Sequence, residues 1–316
     1  MTNTTRCCML LALLLSACTP HPLMMTAVPD PAPHPLSGRI WDTRTQRWVA
    51  TPELEQHLNS VRFVLLGEVH DNPVHHRLRR DLIAALIRDG RRPAIAMEQF
   101  DREHQAALQQ AQREPAPTPE SLKNAGRLDA SGWHWPFYEP IVRLALDHRL
   151  AVHAANLSRA DAFRVSTQGA AVVLGAATFR ALKLDVPLPE AARHSLEQII
   201  KEGHCNQAPP EILPGIVSAQ RARDAVMAGV LRGAGDSGAV LIAGNGHVRR
   251  DFGVPHYLAQ YQQGRDALVV AYLEVDAVRT APADYFNVAA PEYDYIVFTP
   301  QTPRPDPCKD IRFKDR

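Results

Sequence analysis

The chain alternates short, continuous apolar runs with segments in which apolar residues recur at helical spacing. Six runs have the length and apolar content of buried strands. They lie at residues 61–67, 93–98, 150–155, 239–244, 267–275 and 295–299. Strands that are apolar on both faces are typical of a parallel sheet that is covered by helices on both sides.

Helical spacing fills most of the chain between these runs. It predicts helices over residues 78–87, 101–113, 137–148 and, with interruptions near 187–189 and 203–214, over 158–234. Residues 114–136 are rich in proline and then in glycine and tryptophan, which predicts a loop or an insertion. The alternation predicts an α/β fold with a mostly parallel sheet flanked by helices. The helical block at about 158–234 is predicted to be an insertion or subdomain.

The N-terminus has the form of an export signal. An apolar run at residues 7–15 follows Arg6, and it is too short to span a bilayer, which needs about 20 apolar residues. Leu-Ser-Ala-Cys at 15–18 resembles the lipobox of bacterial lipoproteins. We therefore predict a signal peptide at residues 1–17 and lipid on Cys18. A plain cleaved signal with an incidental cysteine is the alternative.

A lipid on Cys18 would hold the protein on a membrane surface. Position 19 is Thr, whereas an Asp there would resemble an inner-membrane retention signal. We therefore predict a location on the outer membrane, at its periplasmic face. Residues 18–37 contain six prolines and are predicted to form a semi-rigid tether. The remaining residues, 38–316, would form the α/β domain.

The charge balance bears on possible partners. Lys and Arg number 35 and Asp and Glu number 34, for a net charge of +1. A nucleic-acid-binding protein usually carries a basic stripe, and none is evident in this sequence. We therefore do not expect a nucleic-acid partner.

The cysteines predict one disulfide. Of the five, Cys7 and Cys8 leave with the signal peptide and Cys18 is acylated, so Cys205 and Cys308 remain. In an oxidising compartment such a pair is expected to bond, which would tie the C-terminal tail to the middle of the domain. Two free thiols that lie too far apart to bridge are the alternative.

Two of the predicted strands end in the same pattern, Gly-x-x-His. One motif ends in His70 and contains Glu68, the other ends in His247, and strand 93–98 ends in Glu98. Ligands of open α/β sheets bind beyond the carboxyl ends of the strands. Two histidines with one or two carboxylates there would suit a divalent metal or acid–base chemistry. Hydrogen-bonded structural histidines are the alternative.

Four stretches together resemble the ChaN family of haem-binding uptake lipoproteins, which lies within the Tiki superfamily. They are LGEVHDNPVHH at 66–76, AMEQF at 96–100, QRARD at 220–224 and GNGHVR at 244–249. The resemblance runs from about residue 38 to 300 and agrees with the lipobox. It implies an α/β fold and haem binding linked to iron acquisition.

The wider superfamily also includes metal-dependent proteases and erythromycin-esterase-like hydrolases that use paired Gly-x-x-His motifs. By this resemblance His70, Glu98 and His247 would be metal ligands. In a hydrolase they would be catalytic together with Glu68, and Arg221 would orient a carboxylate. Two functions thus stay open: haem binding without turnover, and metal-dependent hydrolysis.

The haem function needs an iron ligand beside an apolar slot. The segment WHWPFYEP at 133–140 concentrates aromatic residues in a chain that is only 6% aromatic. Because tyrosinate suits ferric iron, Tyr138 is the predicted ligand, with His134 as a second ligand or a propionate partner. The alternative is that this cluster packs against the core and that Tyr138 is a packing residue.

Other residues are secondary candidates for the haem site. His256, Tyr257 and Tyr261 form a second possible site, and Arg249 could bind a carboxylate in a bidentate way. A haem with one face exposed would also favour a haem-linked homodimer.

The first long helix begins with two histidines and a basic run. His75 and His76 lie close to the first motif, where a ligand role is possible but a solvated position is the commoner case. The basic run that includes Arg79 and Arg80 is predicted to lie on a solvated face of this helix.

Overall fold

The computed structural model describes residues 34–261 and 266–309. These residues form eight strands: β1 (Ile40–Asp42), β2 (Arg47–Val49), β3 (Phe63–Leu66), β4 (Ala94–Asp101), β5 (Val152–Asn156), β6 (Ala239–Ile242), β7 (Ala267–Glu274) and β8 (Tyr295–Thr299). The strands make one sheet in the order β2-β1-β8-β7-β3-β6-β4-β5. The six predicted strands correspond to β3–β8, and the predicted α/β class is confirmed.

The sheet is mostly parallel. Strands β3 to β8 all run in one direction, whereas β1 runs antiparallel to both β2 and β8. The carboxyl ends of β3–β8 therefore meet along one side of the sheet, which we call the carboxyl edge. Central β3 has β6 and β4 on one side and β7 and β8 on the other, so the order in which strands are added to the sheet reverses at β3. Such a switch point is the usual ligand-binding position in open α/β sheets.

Eleven α-helices occur in the described residues. They are α1 (Thr51–Asn59), α2 (Pro73–Arg88), α3 (Gln105–Gln112), α4 (Pro119–Ala125), α5 (Trp135–Asp147), α6 (Arg159–Gln168), α7 (Ala170–Leu174), α8 (Ala176–Ala181), α9 (Glu190–Gly203), α10 (Leu213–Gly233) and α11 (Val254–Leu258). The segment predicted as helical at 158–234 consists of α6–α10. In the part of the chain that the structure describes, no helix is both long and apolar enough to cross a bilayer.

Helices cover both faces of the sheet because the strands are apolar on both faces. In β3, Val64 and Leu66 point into the core under α1–α5, and Phe63 and Leu65 point into the core under α6, α7, α10 and α11. All four side chains are fully buried. Each large apolar side chain buried in this way stabilises the fold by about 1.5–3 kcal/mol.

A third, smaller cluster lies near the carboxyl edge. It packs α9 against the first part of α10 and against Phe252, through residues that include Leu196 and Val217. This cluster makes α9 and the start of α10 a separate layer beside the loop that follows β6.

Two segments differ from the sequence-based expectation. The predicted loop at 114–136 contains α4, whose capping box pairs Thr118 and Ser121 through both side chains and backbone amides. Residues 34–37, predicted as part of the tether, belong to the domain, because Leu36 is only 2% exposed. The predicted signal peptide and Cys18 lie outside the described residues.

The end of the described chain crosses the carboxyl edge. After β8, residues 300–308 leave the sheet, and a disulfide joins Cys308 to Cys205, just beyond α9, with a sequence separation of 103. We call residues 300–308 the C-terminal strap.

Candidate functional site

The two Gly-x-x-His motifs lie side by side at the carboxyl edge, because β3 and β6 are neighbouring strands with Leu66 paired to Ile242. The first residue of each motif must be glycine, because the other motif packs directly against its backbone. A Cβ on Gly67 would lie 2.1 Å from Asn245 Oδ1, and a Cβ on Gly244 would lie 3.0 Å from His70 Cε1. The backbone amide of Asn245 also donates to the carbonyl of Glu68, at 2.9 Å. The motifs therefore form one interlocked unit.

Glu68 is the buried acceptor of the first motif. Its Oε1 lies 2.5 Å from His70 Nδ1 and accepts a hydrogen bond from the Tyr138 hydroxyl at 2.7 Å. Its Oε2 forms an ion pair with Arg79, in which both side chains are fully buried. Burial alone would raise the pKa of Glu68, but the charge of Arg79 and the bond to His70 hold it well below the ordinary value.

Arg79 and the two histidines of α2 extend this network inward. Arg79 Nη2 lies 2.7 Å from His76 Nδ1, and His76 Nε2 donates to the carbonyl of His70 at 2.9 Å. His75 accepts from the backbone amide of Val69 at 2.9 Å. Burial lowers the pKa of His75 to about 3 and that of His76 to about 4, so both rings are neutral.

His247 of the second motif lies between two carboxylates. Its Nδ1 is 2.5 Å from Asp224 Oδ1, and its Nε2 is 3.2 Å from Glu98 Oε1. The other oxygen of Glu98 accepts from the backbone amide of Gly244 at 2.8 Å. Gln220, one helical turn before Asp224 on α10, places its amide nitrogen 3.0 Å from His247 Nδ1. We call Glu68, His70, Glu98, Asp224 and His247 the polar centre.

Burial and mutual charge shift the pKa values of this second group strongly. Burial opposes a charged imidazole, but the carboxylates of Glu98 and Asp224 raise the pKa of His247 to about 10. Burial likewise opposes ionisation of Glu98, yet the charge and hydrogen bond of His247 lower its pKa to about 2. For Asp224 burial prevails and raises the pKa to about 6. His247 is therefore an imidazolium at neutral pH.

The structure brings His70, Glu98 and His247 together, as predicted, but does not arrange them as metal ligands. A Cβ added to Gly244 would be 3.1 Å from His70 Nε2 and 3.8 Å from Glu98 Oε2, so both side chains border this glycine. Both ring nitrogens of His247 face carboxylates, so a protonated His247 has no lone pair to offer a metal. Within residues 34–261 and 266–309, no group of three or more His, Cys, Asp or Glu is placed to hold a metal ion. The predicted divalent-metal site is therefore not supported.

His70 differs from His247 in being open to solvent. Its side chain is 47% exposed, and its ring packs edge-to-face on Trp133, with ring centroids 4.8 Å apart. Burial lowers its pKa, but the hydrogen bond to Glu68 and the negative charges of Glu98 and Glu68 together outweigh burial and raise the pKa overall. Glu68 occupies Nδ1, and Nε2 lies beside the second motif, where a Cβ added to Gly244 would be 3.1 Å from it.

Trp133, His134 and Phe137 form an aromatic shelf beside His70. His134 is exposed, while Trp133 and Phe137 are half-buried. The Phe137 ring stacks on His76 with centroids 4.7 Å apart, and the His134 ring packs edge-to-face on Phe137 at 4.5 Å. The shelf thus offers a partly apolar surface next to an open imidazole.

The surroundings of Tyr138 do not favour the prediction that this residue ligates haem iron. Its side chain is fully buried, and its hydroxyl donates to Glu68. Burial and the nearby Glu68 carboxylate raise the pKa of Tyr138, which disfavours the tyrosinate that ferric iron requires. Tyr138 instead orients Glu68, so the packing alternative describes it better.

The second candidate haem site is also closed. Tyr257 is fully buried, and its hydroxyl accepts from Arg221 Nε at 3.0 Å. Burial raises the pKa of Tyr257 to about 12. His256 Nε2 is buried and has no hydrogen-bond partner among the described residues. The hydroxyl of Tyr261 is bonded to the carbonyl of Ala181.

The two arginines proposed to bind carboxylates are engaged elsewhere. Arg249 pairs with Asp251 at 2.8 Å and with Glu292 at 3.4 Å, and its side chain is only 13% exposed. Arg221 donates to Tyr257 and to the carbonyl of Val186 at 2.7 Å, so it orients no carboxylate. Neither guanidinium is placed to bind a propionate.

Sequence reasoning missed the roles of Asp224 and Arg79. Asp224 lies four residues after Gln220, and this spacing places both side chains on the same face of α10. Arg79 lies three residues after His76 and four after His75, and it is fully buried rather than solvated. This spacing places Arg79 on the same face of α2 as both histidines, and it was the sequence signal that could have indicated a buried Arg79.

Comparison with known proteins identifies the family of this chain. A family model described as "Haem-binding uptake, Tiki superfamily, ChaN" matches residues 54–258, which contain both Gly-x-x-His motifs. No curated protein matches the chain.

Solved structures with a similar fold include one titled "Cofacial heme binding to ChaN of Campylobacter jejuni". It shares 23% sequence identity at a TM-score of 0.65, covering 82% of this chain and 95% of that one. The type III effector HopBA1 shares 12% identity at a TM-score of 0.44, covering 79% of this chain and 92% of that one. The erythromycin esterase EreC shares 15% identity at a TM-score of 0.40, covering 72% and 73%.

Proposed function

This chain belongs to the ChaN family of haem-binding uptake proteins in the Tiki superfamily, and we propose that it binds haem as cargo, without turnover, during iron uptake. We further propose that it does so while anchored by a lipid on Cys18 to the periplasmic face of the outer membrane. The observation that supports the haem site best is the half-exposed ring of His70, supported by Glu68 and flanked by Trp133.

His70 has the features of an iron ligand that the predicted tyrosine lacks. Glu68 binds Nδ1 at 2.5 Å, which fixes the orientation of the ring and makes Nε2 more basic, as carboxylates do for metal-bound histidines. Nε2 has no hydrogen-bond partner among the described residues and lies beside Gly244 of the second motif. Ferric haem would therefore bind with its iron on Nε2 of His70.

The aromatic shelf suits the planar macrocycle. Trp133 and Phe137 offer apolar area on one side of His70, and the exposed His134 is available to a propionate or as a second contact. Such a shelf covers one face of a haem and leaves the other toward water. A second copy with its own haem would bury that face, since apolar burial contributes about 25 cal/mol per Å². We therefore include haem-linked dimerisation in the proposal.

Haemin titration of the purified protein tests this directly. We expect the wild type to bind haemin with a red-shifted and sharpened Soret band. His70→Ala should raise the Kd at least about tenfold, because an iron ligand is lost. The matched control is His148→Ala, which removes an exposed histidine at the end of α5, away from the carboxyl edge, and should leave the Kd unchanged.

Sedimentation with and without haemin reports on the dimer in the same samples. Equal affinity of the wild type and His70→Ala, with unchanged circular dichroism, would exclude His70 as the ligand and make His134 the next candidate. A wild type that binds no haemin would contradict the haem function itself.

Hydrolysis is the second candidate, because two histidines are each bonded to a buried carboxylate within one centre. This geometry suits proton transfer, with His70 as the open group and His247 as the charged one. It is favoured over haem binding only if the wild type hydrolyses a model ester and His247→Gln abolishes the activity. Because no metal-ligand set is present in the described residues, we expect added divalent metal to have no effect in this assay.

The lipid anchor has its own test. Cys18→Ser should remove the acylation site, so that the protein moves from the membrane fraction to the soluble fraction or stays unprocessed. Mass spectrometry of the N-terminal peptide from cells checks the lipid on Cys18. Unchanged membrane fractionation of Cys18→Ser would refute the anchor.

A further inference from the structure

The C-terminal strap is bonded to the loop that carries His70. Residues 68–72, the His70 loop, connect β3 to α2 and end in Asn72, which is fully buried and caps α2 by accepting from Val74. The Asn72 amide donates to the carbonyl of Pro300 at 3.1 Å and to Glu274 Oε1 at 2.7 Å. The first residue of the strap is therefore fixed against the His70 loop.

Arg304 makes the second connection. Its guanidinium donates to Glu274 Oε1 at 2.6 Å and to Glu274 Oε2 at 2.7 Å, as a two-point fork. Its Nε donates to Asp71 Oδ2 at 2.8 Å. Because Asp71 is the residue after His70, one side chain links the strap, the end of β7 and the His70 loop. A fork of this kind fixes orientation as well as distance.

The disulfide holds the far end of the strap. Cys308 is bonded to Cys205, which lies beyond α9 in the layer packed on α10, the helix that supplies Asp224. The strap thus runs from β8, over the His70 loop, to the side of the cleft that carries His247. Cys308 is exposed and Cys205 half-buried, so a reductant can reach the bond. The strap lies outside the residues matched by the family model.

We propose that the C-terminal strap positions the His70 loop through Arg304, and that the Cys205–Cys308 disulfide makes this positioning depend on redox state. When a dithiol donates two electrons and two protons, the bond breaks to two thiols and the dithiol itself becomes a disulfide. The freed strap then holds Asp71 and Asn72 less firmly. On the proposed haem function, on which this part rests, the His70–iron bond weakens and haem leaves faster.

The test compares four forms of the full chain: the oxidised wild type, Cys308→Ser, Arg304→Ala and Arg304→Lys. Haem dissociation is followed by transfer to excess apomyoglobin. We expect Cys308→Ser and Arg304→Ala to release haem about tenfold faster, equal to about 1.4 kcal/mol. Arg304→Lys should lie between them and the wild type, because an ammonium cannot form the fork. Dithiothreitol should accelerate release from the wild type but add little to Cys308→Ser, which separates strap release from reduction of the iron.

A second measurement does not need haem. Amide hydrogen exchange of the haem-free protein, read by mass spectrometry, should speed up in the peptide covering 67–72 for Cys308→Ser and Arg304→Ala. The control is Arg279→Ala, which breaks an exposed pair with Asp276 and should leave this peptide unchanged. Thiol alkylation of the purified wild type verifies that the disulfide is present.

The outcomes separate the two proposals. Faster exchange confined to 67–72 in a protein that binds no haem would support the strap and refute the haem function. Unchanged exchange and unchanged haem release in Arg304→Ala and Cys308→Ser would overturn the strap. Exchange that rises equally throughout the domain would also overturn it, because the strap would then be only a general stabiliser.

Discussion

Arg79→Met should lower the free energy of unfolding by about 3–5 kcal/mol, the cost of leaving one partner of a buried ion pair unpaired. Arg79 and Glu68 are both fully buried and paired with each other. Methionine fills much of the same space but carries no charge, so the Glu68 carboxylate would keep only its hydrogen bonds to His70 and Tyr138. Urea denaturation followed by circular dichroism measures the change.

Arg80→Met is the matched control for this substitution. Arg80 is the next residue of α2, its side chain is 44% exposed, and it pairs with Asp81 at the surface. Such a pair contributes about 0–1 kcal/mol. Adding Glu68→Gln to Arg79→Met should restore part of the loss, because the uncompensated charge is removed. Equal effects of Arg79→Met and Arg80→Met would show that the buried pair is not a stability determinant.

The stability of the wild type should fall as the pH rises from about 7 to 10, and His247→Gln should remove most of this slope. The pKa of His247 rises from an ordinary 6.5 to about 10 in the folded protein. A raised pKa means that the stabilisation is fully present below the unfolded value and is lost as pH passes through the folded one. Each pKa unit corresponds to about 1.4 kcal/mol, so we expect a change of a few kcal/mol.

Denaturation curves of the wild type and His247→Gln at pH 7, 8, 9 and 10 give this comparison. The difference between the two proteins should be largest at pH 7 and shrink toward pH 10, because only the wild type carries the charge that Glu98 and Asp224 stabilise. Tyrosines and lysines titrate in both proteins and cancel in the difference. A difference that stays constant over this range would mean that His247 is neutral in the folded state.

The sheet could be predicted largely from the sequence, because strands buried on both faces appear as continuous apolar runs. Each of β3 to β8 corresponds to such a run. The hairpin of β1 and β2 could not be found in this way, since each strand has three residues and is only partly buried. The convergence of the two motifs followed from topology, because parallel strands bring their carboxyl ends to one edge.

The buried ion pair and hydrogen bonds of the site could not be predicted from the sequence. Arg79 looks like one member of a basic run, and only its tertiary partner Glu68 makes a buried position tolerable. Tyr138 looks like an iron ligand because of its aromatic neighbours, but its position on α5 turns the hydroxyl inward to Glu68. Asp224 lies in a helix far along the chain, and its role depends on how α10 crosses the end of β6.

The backbone bond from Gly38 to the carbonyl of Phe298 places the start of the domain at the carboxyl edge of the sheet, the edge that carries the polar centre. Cys308 is tied to Cys205 beside that edge as well. An attachment point at residue 38 or 308 would therefore lie on the side of the domain that carries the polar centre. Transfer assays on a solid phase need an attachment point elsewhere, such as the exposed end of α5 near His148.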